Sequence, residues 1–257
     1  MPVSATLSFS TLCGFLLTLA RVSGALVFVP LPCVKGAPEA ARVVLAVGFT
    51  LALAARWPAI DASAVALSTL AGWAAAEAGV GIAIGASLAI ALEAFALAAQ
   101  VLGLQAGYGY ASTVDPNTEA DSGVLLVFAQ LIAGMLFFAA GLDREVLRLF
   151  ARSLETVPVG RWAFGIRSAE PLIRLGSGLF SLGARLALPV VALLVMVDVA
   201  LALLGRLNQQ LQLLSLAFPA KMLVALWAMS WTAALFPRLL TAFWGRAIAA
   251  ALRAMGV

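Results

Sequence analysis

Apolar residues run along this chain in long blocks separated by short polar interruptions, the pattern of helices suited to a nonaqueous surrounding. The blocks fall at 9–29, 40–55, 62–102, 124–142, 182–204 and 213–236, judged against the roughly 20 residues a helix needs to cross hydrocarbon. The third is long enough for two spans. Because it holds Glu77, Gly79, Gly81 and Gly85, it either breaks into two helices or continues as one long helix among neighbours. Pro30, Pro32 and Pro38 close the first block and Pro58 the second, since proline has no amide donor and disfavours helix in the residue before it. The fold class expected is all-α, a polytopic membrane-inserted helical protein.

Composition agrees with the pattern. Of 257 residues, 63% are hydrophobic and 11% charged, a balance typical of polytopic membrane proteins. We read residues 1–257 as one integral membrane unit. Histidine is absent, and Cys13 and Cys33 have no metal-ligand spacing. There is no Gly-rich phosphate loop, Ser-His-Asp set, Cys-His pair or DxxD acid pair, so neither an enzyme nor a cofactor is expected. No Lys or Arg precedes Arg21, so the first block lacks the basic start of a cleavable signal peptide and is expected to stay in the protein.

Net charge is +4, with the positives in loops and at block ends rather than in one patch, which points away from nucleic acid. They report orientation instead. The tail carries Arg238, Arg246 and Arg253 without an acid, whereas the 103–122 loop carries Asp115, Glu119 and Asp121 without a base. The excess of positive charge in cytoplasmic loops then places the C-terminus and the 143–174 loop in the cytoplasm, and the acidic loop on the far side. Arg144, Arg148 and Arg152 recur at helical spacing beside Val146, Leu149, Phe150 and Leu154. That amphipathic segment suits a headgroup layer, a protein groove or a plain solvated helix face.

Charges inside the apolar blocks are the candidates for function. Residues 186–221 form two apolar arms joined at an amide-rich tip, with Asp198, Arg206 and Lys221 set among hydrocarbon. A charge at bilayer depth costs about 2.5–3.5 kcal/mol or more unless it faces protein, water or an opposite charge. On one helix Asp198 and Arg206 would lie roughly 12 Å apart, too far to pair directly, so their partners must come from elsewhere. Glu77 and Glu93 are the only charges between Asp61 and Asp115. They are read as buried at a subunit contact, with a proton relay as the sharper rival. Gly81 with Gly85, and Gly103 with Gly107, make small-xxx-small pairs that would let helix backbones approach, read as general packing rather than a dimer motif.

The longest polar interruption is 102–122, where Gly103, Gly107 and Gly109 loosen the backbone and Asp115, Pro116 and Asn117 specify a turn. It is either an exposed loop or a plug folded back into a protein-lined cavity, and its core of Gly107, Tyr108, Gly109 and Tyr110 favours the plug.

The ordered set is Arg21 ahead of Pro30, Glu77 before Gly81 and Gly85, the glycine-rich loop ending in Asp115 and Pro116, Ala187-Leu188-Pro189, Asp198, Arg206, and Phe218-Pro219-x-Lys221. It resembles the FliR family of flagellar export proteins, which shares its fold with the T component of virulence type III secretion. The resemblance covers essentially the whole chain. It implies a noncatalytic export-gate subunit in the bacterial inner membrane, at the flagellar basal body, through which unfolded proteins pass. It further implies P-like helices over 1–170 with a plug loop at about 103–122, then a Q-like helical hairpin and basic tail over 171–257. The implied partners are FliP-like and FliQ-like subunits, with FlhB-like and FlhA-like components nearby. The polar subunit contacts would be Arg21, Glu77, Glu93, Asp198, Arg206, Gln209, Gln210, Gln212 and Lys221, and the gating residues Gly107 to Tyr110 with Asp115 and Pro116. Gln209, Gln210, Leu211 and Gln212 stand where the family often has Pro-Gln-x-Asn, and Ala217 replaces a common glycine. The rival function is a stand-alone secondary transporter using Glu77 and Glu93.

Overall fold

The computed structural model describes residues 9–28, 39–60, 66–108, 124–207, 213–232 and 236–257. In chain order these form α1 (Phe9–Phe28), α2 (Glu39–Ala52), a 3-10 turn (Ala54–Arg56), α3 (Leu67–Ala106), α4 (Val124–Ala139), α5 (Leu142–Thr156), α6 (Ile166–Leu207), α7 (Leu213–Thr232) and α8 (Phe236–Ala254). The all-helical class expected from the pattern is what the chain adopts, with no strand among the described residues.

The third apolar block is one helix. At 40 residues, α3 is roughly 60 Å long, twice the hydrocarbon thickness. The second block gives α2 with only 14 residues, short of a full crossing. The chain then tightens into the 3-10 turn and becomes extended at Trp57 (ψ 137°), as the Pro58 ring demands of its predecessor. The Trp57 indole N–H donates to the Thr50 carbonyl at 2.9 Å and closes that end. By length and composition α1, α3 and α6 are able to cross a membrane, and up to five crossings result if each of two bent helix pairs counts as one. Pro30, Pro32 and Pro38 lie outside the described residues.

The chain divides into two compact units that interleave along the sequence. One comprises Met1–Ile90, Phe137–Gly176 and Trp244–Val257, the other Ala91–Leu136 and Ser177–Phe243. In the first, α1 lies against α2, and Val22, Ala25, Val80, Ile84, Leu88 and Phe150 are buried. Cys13, Leu17 and Ile60 form a cluster covered by Leu70, Trp73, Ala74 and Val159. In the second, Leu194, Val190, Ala225, Leu240 and Phe243 are buried, and Phe95 meets Phe236 edge-on at 5.8 Å.

What brings α1 onto α3 is the absence of side chains. A Cβ on Gly81 would fall on the Arg21 carbonyl oxygen, one on Gly24 on the Ala78 carbonyl, and one on Gly85 on the Ala25 carbonyl. The Gly81–Gly85 pair thus joins two helices of the same chain, backbone to backbone, as small residues allow in apolar surroundings. The second pair behaves differently. Gly103 has open space where its side chain would be, while Gly107 takes φ +85° just past the end of α3. There its N–H donates to the Leu104 carbonyl and the Tyr108 N–H to the Gly103 carbonyl, the two bonds of a Schellman stop.

Opposite outcomes are expected for two formally identical changes. Gly81→Ala should destabilise the chain by about 1–3 kcal/mol through overpacking, whereas Gly103→Ala should stabilise it by about 0.5–1 kcal/mol through helix propensity. Thermal unfolding in detergent reads both, and equal effects would refute the distinction.

Candidate functional site

Arg21 on α1 and Glu77 on α3 are buried, with side chains 1% and 2% exposed, and Arg21 Nε lies 2.6 Å from Glu77 Oε2. The remaining guanidinium nitrogens are also used. Nη1 donates to Ser153 Oγ at 3.1 Å and Nη2 to the Val157 carbonyl at 3.2 Å. Ser153 passes its own hydrogen to the Phe150 carbonyl at 2.7 Å. One cation therefore gathers α1, α3, α5 and the start of the next loop. Engaging all three guanidinium nitrogens is what lets a buried charge pair persist in apolar surroundings. Among the described residues, Trp244 Nε1 is the one buried side-chain polar atom without a partner.

The second unit holds a more open cluster. Asp198 on α6 receives Lys221 Nζ of α7 at 2.8 Å on Oδ1 and at 3.0 Å on Oδ2. Gln105 Nε2, from the last turn of α3, donates to Oδ2 at 3.2 Å. The Lys221 side chain is 15% exposed but that of Asp198 is 42% exposed, so the carboxylate keeps an open side. Three residues beyond Gln105, the Tyr108 hydroxyl points to the Met222 carbonyl at 3.5 Å. Burial raises the Tyr108 phenol above its usual pKa. The last described residue of α3's exit thus stands against α7.

Residues 12–247 match the family described as Bacterial export proteins, family 1. The chain belongs to the FliR family of bacterial export proteins. It is 30% identical over 220 residues to the flagellar biosynthetic protein FliR of Escherichia coli K12, covering 85% of this chain and 82% of that protein. It is 28% identical over 158 residues to FliR of Pectobacterium carotovorum, covering 62% and 60%. With FliR of Caulobacter vibrioides it shares 25% over 148 residues, covering 57% of this chain and 59% of that one. The chain is a component of the flagellar export apparatus.

Seen as a FliR-family chain, its intramembrane charges have partners that the sequence left open. Arg21 and Glu77, expected to face a neighbouring subunit, are joined to each other. Asp198, expected to reach outside the hairpin, is held by Lys221 within it. Arg206 is exposed in the last turn of α6, where a cation also complements the helix dipole. Glu93 lies on an exposed face of α3, in the other unit from Glu77. The two acids are sixteen positions apart, roughly 24 Å of helix, and Glu77 is tied up in its ion pair, so the transporter reading is not favoured. Gly109, Tyr110, Asp115, Pro116, Gln209, Gln210 and Gln212 lie outside the described residues.

Two side chains and one backbone group that pattern reading passed over complete the clusters: Ser153, Gln105 and the Val157 carbonyl. A usable signal for the pairs existed. Arg21 is the only charge before Lys35, Asp198 is the only acid of its apolar arm, and Lys221 is the only charge of the other. Lone charges of opposite sign in separate greasy helices have few places to go but to each other.

Replacing Glu77 by Leu should cost about 3–5 kcal/mol, because Arg21 stays buried without its counter-charge. Adding Arg21→Met should recover much of that loss, since two apolar residues can fill the space of a buried pair. Unfolding midpoints of the two single variants and the double variant test this, and purely additive losses would rule out the coupling.

Proposed function

We propose that this chain is the R-type subunit of the flagellar export gate, helping to form and seal the channel for unfolded proteins in the bacterial inner membrane. Its neighbours are FliP-like and FliQ-like subunits, with FlhB-like and FlhA-like components adjoining. Residues 1–170 serve as the P-like part and 171–257 as the Q-like hairpin and basic tail. Basic loops and tail face the cytoplasm, and the acidic 103–122 loop faces away.

The observation that carries the reading is the outer surface of the arms. The most apolar stretch of α6 is only 22% buried, against 67% for α3, and Met196, Val199, Leu203, Leu223, Trp227 and Trp231 stand exposed. Lipid could cover those side chains. Lipid is a poor cover for the open edge of Asp198 or for the exposed Arg206, which need polar partners. A surface that mixes hydrocarbon with accessible charge is suited to other polypeptides, and apolar patches of this extent mark interaction sites.

Sealing is assigned to the 103–122 segment. Its near end is fixed by the Schellman stop at Gly107 and by Tyr108 against Met222, which supplies a hinge for whatever the rest of the segment closes. An open–closed equilibrium at such a hinge is shifted by any substrate that binds the open form better.

Two measurements probe these roles separately. Arg206→Leu should leave the stability of the isolated chain unchanged and lower its co-purification with the FliP-like and FliQ-like subunits several-fold. Undiminished recovery would mean that Arg206 merely reaches water. Deleting residues 107–110 should raise small-ion or dye leakage through the assembled gate, and an unchanged leak would remove the plug from the mechanism.

A further inference from the structure

In the first unit, the loop between α5 and α6 and the final turn of α8 enclose a groove of about 520 Å³. Arg161, Arg167 and Arg253 line it, together with Phe164 and Ile166, and no Asp or Glu side chain does. Elsewhere the surface arginines Arg56, Arg148 and Arg174 pair with Glu155, Glu145 and Glu170. The three groove arginines meet no carboxylate among the described residues. Phe164 and Ile166 are 75% and 87% exposed, so the charged hollow has a greasy rim.

The groove is preformed. The Trp162 indole N–H donates to the Ala254 carbonyl at 3.0 Å, fastening the loop to the last turn of α8. Gly79 leaves room for the Trp162 ring, which a Cβ there would strike. At the start of α6, the Gly165 N–H donates to Ser168 Oγ at 2.9 Å. Walls tied in this way set the three arginines along one groove, where an added anion offsets their mutual repulsion.

We infer that this groove binds an anionic phospholipid, with the phosphate among Arg161, Arg167 and Arg253 and the acyl chains against Phe164 and Ile166. Guanidinium groups suit phosphate through their forked donors. Both groove segments belong to the basic regions placed on the cytoplasmic side, where acidic headgroups attract such clusters. The inference rests on that placement only for the leaflet that supplies the lipid, so its test is independent of the plug and of orientation.

Native mass spectrometry of the full chain in detergent, loaded with phosphatidylglycerol or phosphatidylcholine, reads retention directly. Phosphatidylglycerol should be retained preferentially, and Arg161→Gln, Arg167→Gln and Arg253→Gln should each weaken it by about fivefold, while Arg56→Gln, in the 3-10 turn outside the groove, changes nothing. Equal retention of the two lipids, or losses no larger than that of Arg56→Gln, overturns the inference. Complete displacement by millimolar inorganic phosphate overturns it in favour of a free-anion site. A photo-crosslinking residue at position 164 should give a lipid adduct in native membranes, and a polypeptide adduct in its place would mean that the groove takes an acidic peptide instead.

Discussion

A buried guanidinium is the constraint around which the first unit is organised. Taking the Arg21 guanidinium out of water is tolerable only if an anion and further acceptors replace its hydration. Glu77, Ser153 and the Val157 carbonyl supply them, the first from α3 and the other two from the C-terminal end of α5. Satisfying one side chain therefore fixes where α1, α3 and α5 stand.

Backbone packing and this electrostatic joint are inseparable. The carbonyl against which Gly81 closes is that of Arg21 itself, so the close helix approach and the ion pair occupy the same turn of α1. Glycine gives up helix propensity there and gains a crossing tight enough for a side chain of α1 to reach Glu77. In the second unit the corresponding joint is looser. Asp198 is held by Lys221 and Gln105 but remains partly open, at the level where α3 ends and the Gly-Tyr segment begins. The closed pair suits a rigid scaffold, and the open one suits a surface that must still meet something.

That contrast fits a FliR-family component of an export apparatus better than a self-sufficient carrier. The acid in the first unit is engaged in structure, and the wide apolar faces of α6 and α7 are unfinished by the standards of a soluble core. The basic groove at the α5–α6 loop adds a second kind of unfinished surface, one whose arginines meet no carboxylate among the described residues.

Much was legible along the chain. The helical class, the break at Pro58, and the odd charges Arg21, Glu77, Asp198 and Lys221 all follow from local chemistry, because proline acts on its own backbone and a lone charge is conspicuous among leucines; the helix that runs on to Ala106, past the block's end at 102 and into the segment read as a loop, does not. The ordered set of these residues also carried the family. What the sequence could not decide was pairing. Whether 62–102 is one helix depends on whether a neighbour offsets the glycines, and that neighbour, α1, is more than fifty residues away. For the same reason Gly81–Gly85 and Gly103–Gly107, identical as patterns, became a helix crossing and a helix stop. Charges whose partners were sought in other subunits found them within this chain, since a contact between distant segments is set by three-dimensional packing and leaves no period in one dimension.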